Sequence, residues 1–117
     1  MEQTWYDARG TATAYVSQDG KTIHLWNGRV VAYLTDDRLY SWQRGRNLGW
    51  FVDGVVYDGR GKRVGFSESA CPVPVIAVPV KKAKTKPGPR GPKAGAQTRP
   101  ALSTATSDLA FGAFLQS

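Results

Sequence analysis

A short unit recurs four times within the first 66 residues of the chain. In each copy a glycine is followed four residues later by a small residue and then at once by an aromatic one. A unit of this length cannot bury an apolar face alone, so the copies must pack on one another. The four copies are Gly10 with Ala14-Tyr15, Gly28 with Ala32-Tyr33, Gly45 with Gly49-Trp50, and Gly61 with Gly65-Phe66.

Each copy has the sequence pattern of a β-hairpin. An aromatic residue precedes every glycine, and Asp19-Gly20, Asp36-Asp37 and Asp53-Gly54 supply turns between the copies. The pattern has no helical periodicity in this part of the chain, so it predicts an all-β domain of four hairpins. The aromatic residues expected on the strands before the four glycines are Trp5 with Tyr6, Trp26, Trp42, and Tyr57.

The alternation of a small and an aromatic residue indicates how the hairpins are arranged. Neighbouring residues of a strand face opposite sides of the sheet. The four small residues therefore share one face and the four aromatic residues share the other. We expect the hairpins to converge on a pseudo-fourfold axis, where the crowded face admits only small side chains.

Composition divides the chain near residue 70. Residues 1–70 carry nine Lys or Arg and eight Asp or Glu, whereas residues 71–100 carry seven cations, no acid and all seven prolines. We predict a four-hairpin domain over 1–70 and a basic, proline-rich linker over 71–100, which we call the basic segment and expect to be disordered. Residues 101–117 form a C-terminal tail with a short apolar motif, which docks either on its own domain or on a partner. The motif residues are Leu109, Phe111, Phe114 and Leu115.

The repeated pieces resemble a known family. The run IHLWNGRVVAYLTDDRLYSWQRGRNLGWFVDGVVYDGRGKRVGF, preceded by WYDARGTATAYV, is similar to the bacterial four-fold β-flower domain over residues 4–67. The basic segment and the terminal SDLAFGAFL also resemble the tails of that family. The resemblance implies four β-hairpin petals in one small chain. It implies no established activity, so it transfers no functional residue.

The residues most often used in catalysis or metal binding do not form a constellation in the sequence. His24 is the single histidine and Cys71 the single cysteine, and a structural role is expected for both. Asp7 and Asp58 occupy equivalent repeat positions, where turn chemistry is a commoner role than cation binding. We therefore predict no catalytic residue, no metal site and no cofactor, and we do not expect an enzyme.

Two functions remain as predictions. The first is a non-catalytic interaction module with an unknown protein partner, for which homo-oligomer formation would add buried apolar surface. The alternative is weak, non-specific binding of nucleic acid by the basic segment, because its cations can neutralise phosphates but cannot read bases. One cysteine and the absence of a signal-peptide pattern or a membrane-spanning run predict a cytoplasmic protein without a membrane contact. The candidate phosphate-binding residues are Lys81, Lys82, Lys84, Lys86, Arg90, Lys93 and Arg99.

Overall fold

The computed structural model describes residues 2–76, 81, 84, 90–91, 93, 95 and 98–117. Within these residues, eight antiparallel strands close into a barrel, in which each strand pairs with the next and the last pairs with the first. The prediction of an all-β fold built from four hairpins is confirmed. The strands are β1 (Gln3–Tyr6), β2 (Ala12–Val16), β3 (Thr22–Leu25), β4 (Val30–Thr35), β5 (Arg38–Ser41), β6 (Asn47–Val52), β7 (Val55–Tyr57) and β8 (Arg63–Ser67).

Two short helical elements follow the barrel strands. A 3-10 turn at Glu68–Ala70 ends the hairpin region, and the helix α1 spans Phe111–Leu115. In the part of the chain that the structure describes, no helix has the length and apolar character needed to cross a membrane.

The turns follow the predicted chemistry. Asp53 and Gly54 have φ values of 51° and 80°, the paired left-handed conformation of a two-residue hairpin turn. Asp36 also has a positive φ, of 55°, at the equivalent connection between β4 and β5. Aspartate tolerates this region better than most residues because its short side chain can bond locally.

The strand positions of two tryptophans were predicted wrongly. β3 ends at Leu25 and β5 ends at Ser41, so Trp26 and Trp42 lie in turns rather than on strands. The first turn closes with a hydrogen bond from the Gly28 N–H to the Leu25 carbonyl at 2.9 Å, which places Trp26 at a central turn position. The strand residues equivalent to Tyr6 and Tyr57 are instead His24 and Tyr40.

Each hairpin places a large interior side chain directly opposite a small one. The small residues of the repeat face the barrel interior, as predicted, and each is the cross-strand partner of a bulky residue. This complementation fills the narrow interior without overpacking it. The four pairs are Trp5 with Ala14, Ile23 with Ala32, Leu39 with Gly49, and Val56 with Gly65.

A β-bulge follows the large–small pair in all four hairpins. The register shifts directly after Trp5, Ile23, Leu39 and Val56, so the partner strand contributes one extra residue at each point. Bulges bend and twist a strand, which is what closure of so small a barrel requires. The extra residues are Thr13, Val31, Leu48 and Val64.

The C-terminal helix packs into the barrel core. Phe111, Phe114 and Leu115 are buried and belong to the same apolar cluster as the interior strand residues. A Cβ on Gly65 would overlap the Phe111 ring, and a Cβ on Gly49 would lie 3.1 Å from the tip of Phe114. Of the two alternatives for the C-terminal motif, the structure shows docking on its own domain.

Described residues between the barrel and the helix bond to the turns of the hairpins. The Ile76 N–H donates to the Gly10 carbonyl at 2.9 Å, and the Gly91 N–H donates to the Trp42 carbonyl at 2.8 Å. Farther along, the Ser103 N–H donates to the Gly61 carbonyl at 2.9 Å. Ile76, Gly91 and Ser103 therefore belong to an outer layer on the barrel.

Candidate functional site

The outward aromatic residues pair across neighbouring hairpins. Tyr15 is the cross-strand partner of His24, and their rings stack at a centroid distance of 5.2 Å and an angle of 13°. Tyr33 and Tyr40 repeat this arrangement at 5.5 Å and 19°. Each pair is fixed by the ladder of the barrel, because its members are opposite residues on adjacent strands.

A third ring, that of a tryptophan, extends each of these two pairs into an aromatic cage. The Trp26 ring stands edge-on to Tyr15 at 6.0 Å and 86°, and the Trp42 ring stands edge-on to Tyr33 at the same distance and angle. Each tryptophan comes two residues after the strand aromatic, a position occupied by Ala8 and Gly59 in the other two hairpins. We call Tyr15, His24 and Trp26 cage 1, and Tyr33, Tyr40 and Trp42 cage 2.

Cage 1 holds a lysine of the basic segment. The Lys81 ammonium lies 4.1 Å from the centroid of Tyr15 and 5.5 Å from that of Trp26. The same ammonium is 2.5 Å from Glu2 Oε1, while Lys84 Nζ is 2.9 Å from Glu2 Oε2. Cage 1 therefore combines two aromatic faces with a carboxylate, which is the chemistry that recognises an organic cation.

The carboxylate of cage 1 stays ionised over a wide pH range. Hydrogen bonds from Lys81 and then from Lys84 lower the pKa of Glu2 to about 2. The hydrogen bond between Lys84 and Glu2 also raises the pKa of Lys84 above its ordinary value. At neutral pH the site therefore contains one negative charge shared between two cations.

Cage 2 holds an arginine. The Arg90 guanidinium lies 4.4 Å from the Tyr33 centroid and 5.9 Å from that of Trp42, and Lys93 Nζ lies 5.4 Å from the Tyr40 ring. Burial raises the pKa of Tyr33, so its phenol is neutral beneath the guanidinium. A cavity of about 550 Å³ adjoins Arg90, Tyr33 and Trp42 on one side of the cage.

The structure brings together most of the cations that the sequence assigned to phosphate binding, but it places them on the barrel. Lys81, Lys84, Arg90 and Lys93 lie over the cages, and Arg99 pairs with Asp37 at 3.2 Å. Lys82 and Lys86 lie outside the described residues. Binding of nucleic acid by these cations stays a prediction.

The predicted partner motif divides into a buried and an exposed part. Phe111, Phe114 and Leu115 lie in the barrel core, whereas Leu109 is 54% exposed. The buried residues fill the fold of this chain, so a partner would have to displace the helix to reach them.

The aspartates of the repeat perform turn chemistry. Asp7 Oδ1 accepts hydrogen bonds from the Arg9 and Thr11 N–H groups at 2.9 and 3.0 Å. Asp58 makes the equivalent bonds in its own turn, and its Oδ2 accepts one from the Ser107 hydroxyl at 2.6 Å. Among the described residues, no group of three or more His, Cys, Asp or Glu side chains is placed to hold a metal ion.

The single histidine and the single cysteine have structural contacts. His24 Nδ1 lies 3.2 Å from the Gly28 carbonyl oxygen, and its ring forms the base of cage 1. The Cys71 thiol donates a weak bond to the Asp7 carbonyl at 3.7 Å.

The sequence interpretation did not find the cages. Their signal was present: His24 and Tyr40 precede Trp26 and Trp42 by the same interval, and each tryptophan precedes a turn glycine. The glycine alignment placed the tryptophans on strands and so concealed the equivalence. Glu2 gave no signal, because it lies outside the repeat.

Comparison with protein families gives one match. The family described as 4-fold beta flower protein matches residues 3–115, which spans the barrel, the basic segment and the helix. A comparison with curated proteins and a comparison with solved structures each gave no match.

Proposed function

Because the chain belongs to the 4-fold beta flower family, which supplies a fold but no established activity, we propose from its surface chemistry that it is a non-catalytic interaction module. The observation that supports this proposal is the pair of cages, each with a cation held over its rings. On this proposal the barrel is a rigid scaffold that recognises cationic side chains. Its single cysteine suits a reducing compartment such as the cytoplasm.

The geometry of the cages supports recognition rather than simple core packing. A cation over an aromatic face gains about 0.5–1 kcal/mol when exposed and about 2 kcal/mol or more when desolvated. The stacked pairs Tyr15–His24 and Tyr33–Tyr40 are opposite residues on adjacent strands of the barrel. The rings are therefore preorganised by the strands, and an incoming cation does not have to order them.

The proposal is tested on a full-length chain whose cages have been emptied. Replacing Lys81, Lys84, Arg90 and Lys93 by serine removes the cations that lie over both cages, and tetramethylammonium chloride then serves as a probe of the free cages. We expect saturable chemical-shift changes of the cage ring protons that sodium chloride at equal ionic strength does not produce. Adding Trp26→Leu and Trp42→Leu should abolish the saturable changes at the remaining cage rings. Equal responses to the two salts would contradict the proposal.

The alternative function uses the same cations in another way. A polyanion must take Lys81, Lys84, Arg90 and Lys93 from the cages before it can use their charge. Non-specific duplex binding by all seven cations of the segment would have a salt slope of at most about six and an affinity no better than about micromolar at physiological salt. The cages therefore compete with phosphate for the basic segment.

This competition provides the test of the alternative. On the interaction-module proposal, Trp26→Leu with Trp42→Leu releases the basic segment and should tighten the weak binding of labelled duplex DNA by the full-length chain. Fluorescence anisotropy over a range of salt concentrations measures the change. Submicromolar binding by the intact chain at physiological salt, unaffected by these substitutions, would favour nucleic acid as the partner.

A further inference from the structure

We infer that the two cages form a two-site receptor for a basic segment presented by another chain, and that the basic segment of this chain is an internal ligand of that receptor. The inference rests on the proposed function and deepens it by naming the ligand class. The ligand is an extended peptide segment with two cationic side chains, one for each cage.

The spacing of the internal ligand defines what the receptor accepts. Lys81 occupies cage 1 and Arg90 occupies cage 2, nine positions apart in the sequence. An extended chain covers about 3.3–3.6 Å per residue, so this interval reaches up to about 30 Å.

The receptor does not depend on its occupant for its shape. The stacked pairs Tyr15–His24 and Tyr33–Tyr40 are set by strand register. The glycine turns that carry Trp26 and Trp42 are closed by backbone hydrogen bonds within the barrel, to Leu25 and Ser41. Removal of the basic segment therefore leaves both cages in place.

The occupants are positioned for exchange. Arg90 is exposed and borders the cavity of about 550 Å³ beside cage 2. The side chains of Lys81 and Lys84 retain 30% and 41% exposure at cage 1. The resident side chains are therefore accessible to solvent, and a competing cation can take a cage once its resident has left.

The chemistry of the cages selects the sign and type of the ligand. The face of an aromatic ring attracts cations, and Glu2 adds a negative charge at cage 1. Phosphate and carboxylate groups are repelled by both features. A tethered internal ligand has an effective concentration of about millimolar, so a second chain binds weakly until the internal ligand is removed.

Two complementary full-length variants test the inference. The acceptor carries Lys81→Ser, Lys84→Ser, Arg90→Ser and Lys93→Ser, which removes the cations that lie over its cages. The donor carries Trp26→Leu and Trp42→Leu, which disables its cages but keeps its basic segment. We expect each variant alone to sediment as a monomer and their mixture to form a heterodimer. The fluorescence anisotropy of the labelled donor measures the formation of this heterodimer.

Matched variants separate cage binding from general charge effects. Restoring Lys81 alone or Arg90 alone to a donor that lacks both should strengthen its binding to the acceptor by about fivefold per cage. A donor with Arg9→Ser and Arg60→Ser in addition to its cage substitutions loses the same charge but should bind like the original donor. Circular dichroism confirms that every variant retains the β fold.

The outcomes distinguish this inference from the proposed function. A mixture that stays monomeric at submillimolar concentration overturns the inference, as does association that persists when the acceptor also lacks Trp26 and Trp42. If tetramethylammonium still binds the emptied cages in either case, the proposed function stands and only the ligand class is wrong. If tetramethylammonium also fails to bind, the proposed function and this inference are both wrong.

Discussion

Gly65→Ala tests how the repeat accommodates the C-terminal helix. A Cβ at this position would overlap three atoms of the Phe111 ring, whereas the equivalent positions of the first two hairpins already carry alanine. Overpacking of this kind costs about 1–3 kcal/mol. Replacing a strand glycine recovers about 0.5–1 kcal/mol of backbone entropy, so we expect a net loss of about 0.5–2 kcal/mol.

Combining Gly65→Ala with Phe111→Ala identifies the cause of that loss in stability. Phe111→Ala alone should cost about 3–5 kcal/mol, because it leaves a cavity in the core. In that background Gly65→Ala no longer overlaps a ring, and its methyl group fills part of the cavity. We therefore expect Gly65→Ala to become neutral or stabilising there. Urea unfolding followed by circular dichroism measures the four midpoints.

Gly49→Ala is the matched control. Its Cβ would overlap the backbone carbonyl oxygen of Tyr57, which belongs to the neighbouring strand and cannot rotate away. Phe114→Ala should therefore not rescue Gly49→Ala, although Phe114 is the ring nearest that position. Equal rescue at both glycines, or none at either, would refute the assignment of Gly65 to ring docking and of Gly49 to strand packing.

Three further predictions follow from the same contacts. Asp58→Ala should lower the free energy of unfolding by about 1–3 kcal/mol in urea titrations, because three donors, including the Ser107 hydroxyl, lose their acceptor. Glu2→Gln should cost about 0.2–1 kcal/mol near neutral pH. Because the pKa of Glu2 is lowered to about 2, this difference should persist above its ordinary value of 4.5 and vanish as the pH falls toward 2. Deleting residues 111–117 should expose the barrel interior and increase binding of an apolar dye, since three buried apolar side chains leave the core.

Acid titration should also reveal the contribution of the Asp58 carboxylate to the stability of the fold. Burial raises the pKa of this carboxyl, but the Ser107 hydroxyl and the N–H groups of Lys62 and Arg60 outweigh that effect and hold the pKa below its ordinary value. The carboxylate therefore stabilises the fold above that ordinary value, and the contribution is lost as the pH falls through the lowered pKa. In Asp58→Ala this part of the acid destabilisation should be absent from the unfolding curve.

The repeat made the fold predictable because its signal is local. The glycine spacing and the Asp53-Gly54 turn specify hairpins directly, and the alternation of Ala32 with Tyr33 specifies which face points inward. Four similar hairpins that must share one core leave few arrangements other than a ring. These features depend on residues within a few positions of one another, so the sequence alone was sufficient.

The cages were not predictable in the same way. They form between hairpins, where Tyr15 meets His24 and Tyr33 meets Tyr40 across strands from different copies. That pairing depends on the register between strands of different hairpins, which no local sequence signal specifies. The composition of the basic segment likewise suggested solvation, because nothing in its own sequence shows that aromatic faces elsewhere receive its cations.

The four hairpins have equivalent backbones but differ in the side chains at equivalent positions. Inside the barrel, glycine replaces alanine in the last two hairpins, where an added Cβ would meet the ring of Phe114 or Phe111. Among the four glycine turns, tryptophan appears only in those of the middle two hairpins. The chain leaves β8 beside β1, so its outer layer meets the first hairpin at Gly10, then cage 1, then cage 2, and returns to the last hairpin at Gly61. This order follows the order of the strands. Lys81 therefore reaches cage 1, which contains Trp26, before Arg90 reaches cage 2, which contains Trp42.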